Sequence, residues 1–130
     1  KLYHSAHCFL MPHTGEGWCL PLCEAMATGC PSIASNSTSV KDFFDREVGY
    51  PVKCIVGETE LQNYHMKAKM FIPDTLDFVN NAMCVAKNYN EAKRRAKKAS
   101  YRIRNQFTWD KAAARLNDIV RDAVNQRKIG

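Results

Sequence analysis

Two carboxylates, Glu16 and Glu24, stand in the stretch from His13 to Ala27 with seven residues between them. A carboxylate accepts hydrogen bonds from hydroxyl groups. Gly15 and Gly17 flank Glu16, and glycines in such a turn supply positive φ and let a ligand approach the backbone closely. Pro21 suits the first turn of a helix, where its missing N–H costs nothing. The N–H groups that open a helix lack intrahelical partners and attract anions. A diphosphate at that helix start would have one carboxylate on either side, each ready to accept from hydroxyls, which is the layout of a nucleotide-sugar site. Glu24 stands among Leu20, Cys23, Ala25, Met26 and Ala27, an apolar setting in which an unpaired carboxylate is costly. That setting favours a functional pair over two solvated carboxylates.

The elements that must position these groups read as half of a doubly wound domain. His7 to Met11, ended by Pro12, reads as a fully buried parallel strand. Leu20, Cys23 and Ala27 mark a helical stripe that Gly29 stops. Cys30 to Ala34 reads as a second buried strand, Asn36 to Ser39 as a polar loop, Val40 to Asp45 as a short helix, and Tyr50 to Val56 as a third strand. Gly57 to Phe71 shows less periodicity and reads as irregular. Pro73 and Asp74 open a helix with the stripe Leu76, Val79, Met83, Ala86, and a second helix carries Ala92, Ala96, Ala99, Ile103, Phe107. Thr108, Trp109 and Asp110 begin a last helix with Ala113, Leu116, Val120 and Val124.

This order of motifs resembles the retaining glycosyltransferases of family 4, and the likeness runs nearly end to end. It rests on Tyr3, Ala6, the first strand, Pro12, the run Glu16 to Pro21, Glu24-Ala25-Met26-Ala27, Gly29-Cys30-Pro31 and the strand after it. The closing segments agree as well: Pro73-Asp74 with its helix, an Arg/Lys-rich helix, Phe107-Thr108-Trp109 and a final helix. Two glutamates at this spacing are weak evidence alone; the composite of loop, helix, Gly-x-Pro and strand is specific.

The resemblance implies an α/β fold, the C-terminal part of a Rossmann-like GT-B donor-binding domain. That is a three-layer α/β/α arrangement with a short parallel sheet and C-terminal helices, the last of which packs near the first lobe and often crosses back toward it. It divides the chain into a strand, loop and helix core with the donor site (1–57), an irregular connection (58–72) and C-terminal helices (73–130). It implies transfer of a sugar from a nucleoside diphosphate sugar to a sugar, lipid or protein acceptor, with retention of anomeric configuration and without a metal or other cofactor. Glu16 would face the donor sugar near the reacting carbon, as the catalytic residue, and Glu24 would hold the ribose hydroxyls. Backbone N–H groups of Gly17, Trp18, Cys19 and Leu20, beside Gly15, would line the sugar and diphosphate. His13 borders the pocket as a candidate contact to phosphate or sugar, although a loop histidine is more often merely solvated. Cys19 replaces the glycine usual at its place and Trp18 a phenylalanine, which implies a tighter or differently shaped pocket. Ser39-Val40-Lys41-Asp42 replaces a Ser-x-x-Glu context, so Asp42 is left out of the site.

The 130 residues begin at Lys1 without methionine. Three strands from the second half of a lobe read as a C-terminal fragment of a longer enzyme. Alone, it is expected to be inactive, with a sheet edge open to association. Six cysteines lack the paired spacing of a zinc site and read as small hydrophobes. Abundant free thiol, with no signal peptide and no long apolar run, points to the cytoplasm. The net charge of +6 gathers in Lys87, Lys93, Arg94, Arg95, Lys97, Lys98, Arg102 and Arg104. Such a helix can dock peripherally on anionic membrane. A solvated face is the favoured reading, because Tyr101 is the only interleaved aromatic and no apolar anchor is left over; nucleic acid is not an expected partner. The alternatives are a noncatalytic nucleotide-binding or basic-surface interaction module, and another GT-B enzyme. Among the latter, epimerase relatives carry different loop signatures, and phosphorylase relatives need a cofactor lysine that cannot be located here.

Overall fold

Alternation along one short strand organises the molecule. In the computed structural model, which describes residues 2–61 and 66–127, β2 (Ser32–Ser35) is buried along its whole length. Successive side chains point to opposite sides, so Ala34 joins one apolar cluster and Ile33 another. β1 (Phe9–Met11) and β3 (Tyr50–Val52) flank it in parallel, in the order β1-β2-β3. Register pairs Leu10 with Ile33 and Ala34 with Pro51. β1 is shorter than the run His7 to Met11 and is not fully buried: it lies at the sheet's edge and Leu10 is 50% exposed. Cys8 and Cys30 fall just before their strands.

Helices cover both faces. On one side α2 (Leu20–Ala27) buries Leu22, Cys23 and Met26 with Phe43, Phe44 and Val48. On the other, α3 (Thr75–Lys87) brings Phe78, Ala82 and Val85 against Ile33, Tyr50 and Val52. α4 (Tyr89–Gln106) belongs to both: Ala92 packs in the second cluster, Ala99 and Ile103 in the first. Its stripe Ala92, Ala96, Ala99, Ile103 is buried throughout, as the 3.6-residue period dictates. Asp74 and Asn88 cap α3 and α4, accepting from the N–H groups of Asp77 and Glu91, and side-chain oxygens at that position satisfy donors the helix cannot. A four-residue helix, α1 (Leu2–Ser5), precedes β1.

Four expectations change. The segment read as irregular is an antiparallel hairpin of β4 (Cys54–Leu61) and β5 (Met66–Pro73), with residues 62–65 outside the described residues. Glu58 lies opposite Lys69 and Glu60 opposite Lys67, and opposite charges at facing positions support a pairing. The third strand ends at Val52, and Cys54 starts the hairpin. The short helix is a 3₁₀ turn at Thr38–Asp42. On α3 the stripe Leu76, Val79, Met83 faces solvent, because Asp77 accepts from the Lys53 N–H and Asn81 donates to the Pro51 carbonyl. Those two bonds turn Phe78, Ala82 and Val85 inward.

α5 (Trp109–Arg127) starts where Thr108 predicts, its hydroxyl accepting from the Lys111 N–H. Leu116, Ile119, Val120 and Val124 are all about half exposed or more, so an apolar face is left over after all. No helix among the described residues is long and apolar enough to cross a membrane.

Candidate functional site

The loop carrying Glu16 hangs from the C-terminal end of β1, where parallel α/β sheets bind ligands. It enters α2 through Cys19, which adopts the left-handed conformation at φ 62°, ψ 57°. That conformation is one L-residues resist and glycine tolerates. The positive φ expected of Gly15 and Gly17 is therefore found at Cys19, and among the described glycines only Gly29 has it. The space around Gly15 and Gly17 is open, since a Cβ at either would meet nothing within 4 Å.

Cys19 supplies no side-chain cap, and its carbonyl accepts from the N–H groups of Leu22 and Cys23. Among the described residues the N–H groups of Gly17, Trp18, Cys19 and Leu20 make no backbone hydrogen bond. These donors stand at the positive end of the helix dipole, ready for an anion. Burial pushes the Cys19 thiol above its usual range and the Cys23 thiol up to about 11. All six cysteines are free.

Glu16 is half-buried in the loop and Leu20 is exposed at the helix start. Glu24 lies one turn beyond Leu20, about 6 Å along the axis, and it is exposed. The apolar setting read from its neighbours is corrected here: Leu22, Cys23, Ala25 and Met26 turn inward, and Glu24 faces out. Its Oε2 accepts a 2.9 Å hydrogen bond from the Tyr3 hydroxyl, which holds the phenol pKa above its ordinary value.

Two predicted residues point elsewhere. His13 is buried, with Nδ1 3.2 Å from the Met11 carbonyl oxygen and Nε2 3.2 Å from Ser37 Oγ. A carbonyl only accepts, so Nδ1 carries the proton and Nε2 accepts from the serine; this pair ties the loop to the turn after β2. The Trp18 ring packs against Phe43 and Phe107 with centroids 5.2 and 5.8 Å away, leaving its backbone to face the site.

The hairpin also touches the loop. The Phe71 N–H donates to the Thr14 carbonyl at 2.7 Å, and the Lys41 ammonium lies 5.9 Å from the Phe71 ring centroid. Tyr3, Ser37 and Phe71 are thus supports of the site that sequence reasoning did not place in it. Tyr3 stood among the motif residues, whereas nothing local marks the other two. The turn after β2 is strained as well: Thr38 has φ 48°. The hydroxyls of Ser35, Thr38 and Ser39 are buried, with no partner among the described residues.

The family model for family 4 glycosyltransferases in conflict systems matches residues 1–116. The chain belongs to that family. Among solved structures, this chain is similar to sucrose-phosphate synthase from Thermosynechococcus elongatus, with a TM-score of 0.71 over 96% of the chain at 21% identity. At that identity the likeness shows the shared fold, here the GT-B type. The chain spans 27% of the synthase's length. Among curated proteins no sequence matches it significantly. In this structure Glu16 lies in the loop before α2 and Glu24 one turn into the helix.

Much of its basic helix is spent on the fold. Arg95 donates to the Gly49 carbonyl and lies 4.5 Å from the Tyr50 ring centroid. Arg102 reaches Phe43 O and Asp45, and Arg104 reaches Ala27 O at the end of α2. Burial raises the Asp45 pKa, but hydrogen bonds from Arg102 and backbone N–H groups outweigh it and the net shift is downward.

Proposed function

We propose that this chain is the donor-binding part of a retaining glycosyltransferase that takes a sugar from a nucleoside diphosphate and passes it to a sugar, lipid or protein acceptor. The observation that carries the reading is the unbonded N–H series of Gly17 to Leu20 between Glu16 and Glu24. As the bond to the leaving diphosphate breaks, negative charge grows on phosphate, and donors already in place stabilise it without reorganising. The helix dipole acts in the same sense, and the reaction proceeds without a metal. Glu16 accepts from hydroxyls of the donor sugar near the reacting carbon, and Glu24, oriented by Tyr3, accepts from the ribose diol. The approach past Gly15 and Gly17 is open. His13 acts through the loop, holding it against Ser37.

Calorimetric titration of the full chain with UDP-, GDP- and ADP-glucose tests this. One of the three should bind, and Glu24→Ala should lose roughly 10- to 150-fold in affinity, the worth of hydrogen bonds to a charged group of about 1.5 to 3 kcal/mol. Unchanged affinity in that variant defeats the assignment.

A further inference from the structure

Little holds Glu16 where it stands. It is flanked by Gly15 and Gly17, whose backbones have the widest conformational freedom, and the space around both is open. Among the described residues the backbone of 12–18 makes one backbone hydrogen bond, accepted by the Thr14 carbonyl from the Phe71 N–H at 2.7 Å. The side chains of His13 and Trp18 are tied to Ser37 and to Phe43 and Phe107. The loop is thus pinned on both sides of Glu16, and Thr14 is the last fixed point before it.

That bond comes from an element the core does not use. β4 and β5 form a sheet of their own, apart from the central three strands, and they place no residue in either apolar cluster. Among the described residues the Phe71 N–H makes the one backbone hydrogen bond from these two strands to another part of the chain. The Phe71 ring lies beside the Lys41 ammonium on the turn after β2, which braces the hairpin on a second side. A hairpin that is held by its own pairing, and whose reach ends on the residue two before Glu16, adds position where it adds no core.

We propose that the hairpin holds Glu16 in place for the donor sugar, with Phe71 as a positioning residue that acts through the Thr14 carbonyl. This rests on the proposed donor site and divides it: Phe71 serves the sugar half, while Glu24 takes its orientation from Tyr3 and serves the nucleoside half. A loop fixed beforehand loses less entropy when the sugar binds.

Phe71 lies opposite Val56 in the ladder with its N–H turned outward, a position at which an edge strand accepts proline. Phe71→Pro therefore removes the bond to Thr14 and spares the pairing with β4; Phe71→Ala removes the ring and keeps the N–H. Amide order parameters from NMR relaxation of the full chain should fall at Gly15, Glu16 and Gly17 in Phe71→Pro and hold in Phe71→Ala. In calorimetry with UDP-, GDP- and ADP-glucose, Phe71→Pro should bind the preferred nucleotide sugar roughly three- to tenfold more weakly. It should bind the matching nucleoside diphosphate as the native chain does, whereas a general loss of structure would weaken both. In a Glu16→Ala chain the same substitution should cost nothing more. Coupling is reciprocal, so in the native chain the nucleotide sugar, and not the diphosphate, should slow hydrogen exchange at the Phe71 amide. That measurement decides the matter if Phe71→Pro does not fold. Unchanged order parameters in Phe71→Pro, an equal loss for both ligands, or a Phe71 amide indifferent to the sugar overturns the proposal. If Glu16→Ala binds the sugar as tightly as the native chain, the donor-site reading falls and takes this inference with it. If Glu16→Ala weakens binding and Phe71→Pro does not, this inference alone falls.

Discussion

The Tyr3 hydroxyl donates to Glu24 Oε2 across 2.9 Å, joining the short helix before β1 to the exposed side of α2. The Tyr3 ring also meets Phe9 edge-on, with centroids 5.6 Å apart, so the phenol is aimed by its own packing. An exposed carboxylate would otherwise sample several rotamers, and fixing it beforehand would lower the entropy lost on binding the proposed ribose diol.

Tyr3→Phe should therefore weaken binding of the nucleotide sugar by less than Glu24→Ala does, by roughly three- to tenfold, since one hydrogen bond is lost while the carboxylate remains. Calorimetry on both variants checks the order. A Tyr3→Phe variant as weak as Glu24→Ala would mean that the phenol itself touches the ligand.

Cys19 and Thr38 hold positive φ, at 62° and 48°. Left-handed backbone costs a residue with a Cβ roughly 1 to 2 kcal/mol. Thr38→Gly should then be more stable than Thr38→Ala by about 1 kcal/mol, the reverse of the usual order, and Cys19→Gly likewise against Cys19→Ala. Urea midpoints decide it. The comparison between glycine and alanine isolates backbone strain from the loss of the side chain.

The folded-state pKa of Glu91 is held down at about 2, against an ordinary 4.5, by hydrogen bonds from Arg94 and Arg95. A depressed carboxylate contributes stability that is present above its unfolded value and lost as pH falls through its folded one. The stability difference between the native chain and Glu91→Gln should be constant above about pH 5 and shrink toward zero as pH approaches about 2. Denaturation followed across that range measures it; a difference that persists at the acid end would assign the effect to shape instead of charge.

A Cβ on Gly49 would land on the ring of Phe44 and within 3.0 Å of the Ser32 carbonyl oxygen. Both neighbours are buried. Gly49→Ala should cost about 1 to 3 kcal/mol through overpacking, visible as a lowered urea midpoint with an unchanged slope.

Features set by local chemistry could be read directly. Asp74 and Thr108 announce their helices, and alanines at Ala92, Ala96 and Ala99 can only pack closely, so the face they share had to be the inner one. Features set by competition between faces could not. α3 has two apolar stripes, and the polar residues Asp77 and Asn81 decide between them by reaching backbone groups of the Pro51 and Lys53 segment. Glu24 misled for a related reason: neighbours in sequence are spread around a helix, and the apolar ones all turned away from it. The hairpin was hidden because its support lies in pairing, Glu58 with Lys69 and Glu60 with Lys67, which shows only when two segments are aligned.

Because α4 contributes side chains to the clusters on both faces of the sheet, while α2 and α3 each serve one, α4 is a helix that the two layers share. Losing α4 as a whole exposes apolar surface in both halves together, so the chain should open as one cooperative unit. The hairpin and α5 place no residue in either cluster, so exchanges there should leave the packing of the sheet intact.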